Sequence, residues 1–378
     1  MQSECKSREI GQSFTRHRKA GQMKKIFVIN VGSTSTKIAL FEDMEKRYER
    51  NVEHQAEELK KMASLTEQLP FRKRAVEQAL AEDCVSLQGL TAVAARGGTF
   101  GLAEGGAYLV EEKLLEACRH PVTDHPSNLS AILGHEIAEQ YGCRAYIYDA
   151  VCTCEVTDMA RMTGLKDVKR RPFSHVLNTR AAARKLAEQQ GRRYEDMNFI
   201  VAHLGGGISI NVHDHGKIVD LVCDDDGPMS PERAGRLNTL AVIKLCFAEG
   251  AGKEEIIRRV KGRSGLLEHL GSSDLREAER RKESGDEQAA FLLETMAYQI
   301  SKFIAELAPV VNGQVDAIIL TGGAANSRTL TEGIIRRVAF LAPVTVMPGA
   351  MEMEALAGGI GRVLDGQEEA KIYKGGRT

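Results

Sequence analysis

Two segments of this 378-residue chain repeat one pattern. Ile26–Phe41 (IFVINVGSTSTKIALF) and Phe199–His213 (FIVAHLGGGISINVH) each run from an apolar stretch to a polar side chain, Asn30 or His203. A small-residue turn and a second apolar stretch follow. Superposing Asn30 on His203 places Gly32 on Gly205, 173 residues further on. A strand, a turn of Gly, Ser and Thr, and a returning strand aim backbone N–H groups and hydroxyls at one point, where a phosphate can sit. A third small-residue turn, Thr321-Gly322-Gly323-Ala324-Ala325, follows the apolar run Ala317–Leu320. A chain that uses this device twice is expected to have a duplicated core that grips a polyphosphate from both sides.

Strand-like and helix-like patterns alternate between and around these segments, which predicts an α/β fold. Strands are expected at Ile26–Asn30, Lys37–Phe41, Leu90–Ala95, Arg144–Ile147, Phe199–His203, Ile208–Val212, Ala317–Leu320 and Val344–Met347. Among the expected helices, Ala56–Leu69 reads as one element, and Glu287–Val311 is long and apolar enough to be buried or to form an interface. The length favours two domains. The formal charge of −1 gives no electrostatic reason to expect nucleic acid or a membrane surface. No apolar run approaches the ~20 residues that span a bilayer. The eight cysteines show no zinc spacing; Cys152-Thr153-Cys154 is the one close pair. They read as free thiols of a cytoplasmic protein. Residues 1–22 lack the apolar core of a secretory signal and are expected to be a disordered extension or an upstream start.

In Asn30-x-Gly32-Ser33-Thr34-Ser35-x-Lys37, glycine permits the tight turn, the hydroxyls add donors and the lysine adds charge. The spacing is not that of a P-loop. In His203-Leu204-Gly205-Gly206-Gly207 the glycines let backbone approach a ligand. Gly322-Gly323-Ala324 reads equally as an adenine or ribose platform and as an ordinary strand-to-helix turn.

Together these residues resemble the acetate kinase and butyrate kinase family, within the actin, Hsp70 and sugar-kinase superfamily. Thr34-Ser35-Thr36-Lys37, Ala202–Gly207 (AHLGGG) and Ser230–Gly235 (SPERAG) are similar to the butyrate kinase branch. The resemblance implies a two-domain actin-like ATPase fold of ribonuclease H-like halves, 23–151 with 354–372 returning to it, and 152–353. It implies transfer of a phosphoryl group between ATP and butyrate or a short branched-chain acid, with Mg²⁺. Acetate or propionate is the alternative acceptor. A homodimer or larger assembly is implied as well.

The resemblance also implies site residues. Arg96 and Arg233 match the family's two active-site arginines, suited to neutralising two anionic reactants. Asp149 matches an active-site aspartate, read as organising Mg²⁺ through water or orienting an arginine. A carboxylate substrate is already ionised and needs no general base. His175 and His203 match groups at the transferring phosphoryl, with direct transfer favoured over a phosphohistidine. His125 matches a position near the substrate. Glu352, with Glu354 as its rival two residues on, matches a glutamate associated with Mg²⁺. Thr179 stands where acetate kinases carry a second histidine. A non-enzymatic nucleotide switch would need a peptide- or DNA-binding module outside the ATPase core. A sugar kinase would need an Asp base in place of paired arginines.

Overall fold

The computed structural model describes residues 23–62 and 64–375, so the expected extension 1–22 lies outside the described residues. The strands are β1 (Lys25–Val31), β2 (Ser35–Glu42), β3 (Glu45–Glu53), β4 (Ala92–Arg96), β5 (Ala107–Leu109), β6 (Arg144–Tyr148), β7 (Asn198–Leu204), β8 (Ile208–Asp214), β9 (Lys217–Val222), β10 (Ala317–Gly322), β11 (Val344–Pro348) and β12 (Lys371–Ile372). They form two sheets, ordered β12-β5-β6-β4-β1-β2-β3 and β11-β10-β7-β8-β9.

The second sheet repeats the centre of the first. In each, an antiparallel meander (β1-β2-β3 or β7-β8-β9) leads into two parallel strands, β4 and β6 or β10 and β11. The likeness reaches a backbone irregularity. The register shifts between Leu40 and Phe41 in one meander and between Val212 and His213 in the other. Both shifts begin four residues beyond the first pair after the turn, Val31 with Thr36 and Leu204 with Ile208. The turns themselves differ by one residue, Gly32–Ser35 against Gly205–Gly207. The duplicated core expected from the sequence is therefore present.

Both sheets are covered on both faces, which is why their central strands read as unbroken apolar runs. Ile26 through Ile29 are fully buried, and every residue of β7 is buried. Helices Asn128–Gln140 and Leu69–Glu82 cover one face of the first sheet. On its other face Met353, Leu356, Ala357 and Ile360 of helix Glu352–Leu364 pack against Ile26, Val28, Ala92 and Tyr148. Helix Val176–Gln189 lies on β7 and β10 through Ala182, Ala183 and Leu186. Helices Glu287–Leu307 and Arg328–Val338 close the far face. Helix Glu287–Leu307 is mainly a core helix, with Leu293, Met296, Ile300 and Ile304 buried. No helix among the described residues is long and apolar enough to cross a membrane.

Two expectations about elements need correction. Ala56–Leu69 is not one helix: Ala56–Leu59 ends early, a 3₁₀ turn follows at Thr66–Gln68, and a new helix starts at Leu69. Pro70 explains the break, since proline is tolerated in a first turn and not inside a helix. Strands β3, β5, β9 and β12 were not expected; Glu45–Glu53 (EKRYERNVE) is mostly charged and only Tyr48 and Val52 pack on the core. As an edge strand exposed along much of its length it shows too little apolar alternation to reveal it, and its charges protect the open edge.

Candidate active site

The ends of β1 and β4, the segment before helix Val176–Gln189 and the start of helix Glu352–Leu364 converge on a cleft of about 510 Å³. Asn30, Gly32, Ser33, Arg96, His125, His175 and Glu352, all singled out from sequence, line it. Arg171, Asp224 and Lys261 join them. Val31, Pro126, Val151 and Phe173 supply apolar wall.

Each hairpin carries a polar cross-strand pair at its base. Asn30 pairs with Lys37 and His203 with Ser209, so each pair shares one sheet face. Asn30 Nδ2 donates to Glu352 Oε2 at 2.9 Å, fixing the start of the last long helix against the first hairpin. Ser33 and Thr34 at the turn are exposed, while Ser35 and Lys37 are half-buried. In the second hairpin Gly206 is exposed, and its carbonyl accepts from Ser230 Oγ and from the Glu232 N–H. Glycine suits 205, where a Cβ would stand a tight 3.1 Å from the Gly207 carbonyl and 3.3 Å from His203 Nε2.

The segment before helix Val176–Gln189 meets the second hairpin through stacked imidazoles. The rings of His175 and His203 lie 4.0 Å apart and within 13° of parallel. Burial pushes His175 down to about 4, helped by the charges of Arg96, Arg233 and Lys261. Burial, then His175, pushes His203 down to about 3. Two parallel imidazolium rings in van der Waals contact would repel, so both stay neutral at ordinary pH.

Their hydrogen bonds also fix where the protons sit. Asn178 Oδ1 accepts from the Met351 N–H at 2.8 Å, so its Nδ2 is the donor to His203 Nδ1, also 2.8 Å away. Ser209 Oγ accepts from the His175 N–H and also bonds His175 Nδ1 at 2.9 Å. His125 Nδ1 accepts from the Ser127 N–H at 3.2 Å, and burial followed by Arg96 lowers its pKa. His203 and His125 therefore carry their proton on Nε2. Thr179 holds this frame from behind: its hydroxyl donates to the His175 carbonyl and accepts from Asn211 Nδ2.

Arg96 ends β4 and is 8% exposed, with no hydrogen-bond partner for Nη1; the nearest carboxylate oxygen, on Glu352, is 4.0 Å away. Arg233 is placed differently. It does not line the cleft but stands at its margin, beside Asp224 (3.6 Å) and Glu232 (3.8 Å).

Asp149 also lies off the cleft. It follows β6 with φ at 41°, and its Oδ1 accepts from the Gly106 N–H and faces Arg180 Nη1 at 3.3 Å. The arginine that Asp149 pairs with is Arg180, not Arg96 or Arg233. Arg180 is clamped again by Glu155 at 2.6 Å. Asp149 Oδ2 is buried without a partner.

Of the two glutamates, Glu352 reaches the cleft, whereas Glu354 turns outward to Lys46 at 2.8 Å. Among the described residues no three His, Cys, Asp or Glu converge to cage a metal ion. A Mg²⁺ that keeps waters and takes phosphate oxygens needs no such cage, and the free oxygen of Asp149 fits a water-mediated contact.

Gly322 and Ala324 are buried, and only Gly323 of that turn is exposed. Gly322 has φ at +91°, and a Cβ there would fall 2.3 Å from the Leu204 carbonyl oxygen, so this glycine lets β10 pack against β7. The described cysteines are free. Arg171, Asn178, Arg180, Ser209 and Lys261 were missed from sequence. Only Arg171 had a local signal, as one of a basic pair just before the motif containing His175.

Comparison with known proteins agrees with this geometry. The model of the acetokinase family matches residues 166–347. A probable butyrate kinase 2 of Caldanaerobacter subterraneus subsp. tengcongensis is 43% identical over 93% of this chain and all of its own length. Butyrate kinase 2 of Clostridium acetobutylicum is 40% identical, covering 93% of this chain and 99% of the relative. Among solved structures, Porphyromonas gingivalis acetate kinase superposes with a TM-score of 0.75 at 21% identity, over 90% of this chain and 100% of that one. Acetate kinase from Entamoeba histolytica gives 0.70 at 18% identity, over 89% and 98%. These likenesses identify the actin-like ATPase fold. With stacked histidines, an unpaired arginine and a duplicated hairpin in place, the chain belongs to the acetokinase family, ATP-using phosphotransferases with a carboxyl group as acceptor.

Proposed function

We propose that the chain transfers a phosphoryl group between ATP and butyrate or a branched acid of similar size, with Mg²⁺. The observation that carries this reading is the cleft itself, where Arg96 has an unpaired Nη1 beside His125, His175 and an apolar wall, with His203 stacked on His175. A carboxylate and a triphosphate repel each other, so fixed cations must offset that charge before an oxygen can approach phosphorus. Arg96, Arg171 and Lys261 supply it, with Arg233 at the margin.

In this reading the carboxylate lies on Arg96 against Val31, Pro126 and Phe173. The outer face of the turn at Gly32–Ser35, with Lys37, receives the phosphates of the nucleotide. The second hairpin, Gly205–Gly207, and the Gly322–Ala324 turn hold the nucleotide from the other side. The Nε2–H group of His203 and the His175 ring donate to the phosphoryl oxygens in flight, as preorganised donors that need no reorientation. Because Nε2 of His203 carries the proton, that ring offers no lone pair there for attack on phosphorus, which favours direct transfer over a phosphohistidine. Mg²⁺ would be held by the nucleotide's phosphates with Glu352 and Asp149, partly through water. It would neutralise charge on the transferring group.

Butyrate rather than acetate is favoured by the likeness to butyrate kinases at about 40% identity. The test is acyl hydroxamate formation from a panel of acids with Mg-ATP and hydroxylamine. Butyrate or isobutyrate should react faster than acetate; equal or better turnover of acetate overturns the acceptor assignment. For assembly, helix Thr239–Cys246 with no buried residue and exposed Leu240 and Phe247 is a better homodimer surface than helix Glu287–Leu307.

A further inference from the structure

Arg72 lies on helix Leu69–Glu82, on the stripe with Val76, Ala79 and Leu80 that packs into the core, and it is fully buried. A buried guanidinium ordinarily has a carboxylate beside it. Among the described residues Arg72 has no ion-pair partner. Its Nε donates to Gln68 Oε1 at 3.0 Å. Nη1 donates to the Ser35 carbonyl at 3.0 Å and to Thr36 Oγ1 at 3.2 Å, and Nη2 to the Ser33 carbonyl at 2.8 Å. The nearby His54, 2.9 Å from Thr36 Oγ1, is also uncharged, pushed down to about 4 by burial and then by Arg72 itself. Every group that Arg72 touches is neutral.

Two of those acceptors belong to the first hairpin turn, whose Gly32 and Ser33 line the cleft. A peptide unit is planar and trans, so a carbonyl drawn inward turns the following N–H outward. Holding the Ser33 carbonyl thus directs the Thr34 N–H away from Arg72. The fork fixes the turn and places an unbalanced positive charge directly behind it.

We propose that Arg72 is a positioning residue whose missing counter-ion is the polyphosphate bound on the outer face of the Gly32–Ser35 turn. This rests on the nucleotide reading above. The charge is uncompensated in the free protein and balanced when ligand binds, so its contribution grows with the number of phosphate charges. A purely structural prop for the turn would not show that dependence.

The experiment compares binding of ATP, ADP and AMP to wild type, Arg72→Gln and Arg72→Lys by calorimetry in excess chelator, where the phosphates carry their full charge. Arg72→Gln should weaken ATP by about ten-fold or more and AMP by about two-fold or less, with ADP between, as charge–charge attraction across a partly buried turn requires. Arg72→Lys should restore most of the preference for ATP over AMP. The melting temperature of Arg72→Gln without ligand should stay near that of wild type, because it removes an unpaired buried charge. If the glutamine variant does not fold, the lysine variant decides: a retained ATP preference supports the proposal, and a lost one overturns it. Equal losses for all three nucleotides, or none, overturn it while leaving the nucleotide reading intact. Wild-type protein that does not discriminate ATP from AMP removes both.

Discussion

The two hairpins share a backbone and differ in chemistry. Both have the same strand order and a register shift at the same distance from the turn. Yet the first carries Asn30 and Lys37 at its base with Arg72 behind its turn, while the second carries His203 and Ser209 with Asn178 behind. One hairpin presents fixed positive charge and the other neutral donors. The difference teaches that a duplicated frame preserves where groups are held, while the residues at the cross-strand pair decide what is offered there.

The largest effect should separate the two halves at their arginines. Arg96→Ala should reduce kcat by about 10³-fold or more, as loss of a cation at a transferring phosphoryl does. Arg233→Ala should cost less, because Asp224 and Glu232 already offset part of its charge. Steady-state kinetics of both variants checks this, and equal losses would break the asymmetry. Next come the neutral donors: His175→Ala or His203→Ala should lower kcat by about 10²-fold with a small change in the KM for ATP. A dominant KM effect would place the rings at substrate binding instead. Glu352→Gln should lower activity about ten-fold and raise the Mg²⁺ needed for half-maximal rate, whereas Glu354→Gln, facing Lys46, should change either by about two-fold or less. A Mg²⁺ titration of the two variants distinguishes them, and similar responses would dissolve the distinction.

The smallest effect is on stability. His175 and His203 titrate near 6.5 when unfolded but near 4 and 3 when folded. The unfolded chain therefore takes up protons first as the solution is acidified. Stability is fully present above pH 6.5 and is lost as pH falls through the window from 6.5 to about 3. Each ring contributes up to about 1.4 kcal/mol per pH unit there. Urea unfolding of His175→Gln/His203→Gln between pH 7 and 5 should show a shallower slope than wild type. The buried His54 and His213, whose pKa values are also lowered, should keep some slope in the variant.

What the sequence made legible was what is local. Asn30 through Lys37 and His203 through Gly207 each sit within a few residues, so spacing alone reveals a strand and a turn. The family resemblance then supplied Arg96 and His125, which the fold brings to the same cleft. Less legible were groups that meet only after folding. Ser209 reaches His175 across 34 residues, and Asn178 joins His203 to the Met351 N–H across 173. Arg72 left a faint trace, as a charged residue on the apolar stripe of a helix. The placement of Asp149 off the cleft depends on Gly106 and Arg180, neither adjacent to it in sequence.

The neutrality of the stacked imidazoles has a consequence for the electric field in the cleft. Its positive charge comes from Arg96, Arg171 and Lys261, while His175 and His203 stay uncharged well into acid. The field that a substrate meets is thus nearly constant across the range where most cell interiors lie. Over that range the site behaves as a fixed electrode, and pH acts mainly through the ionisation of what enters it.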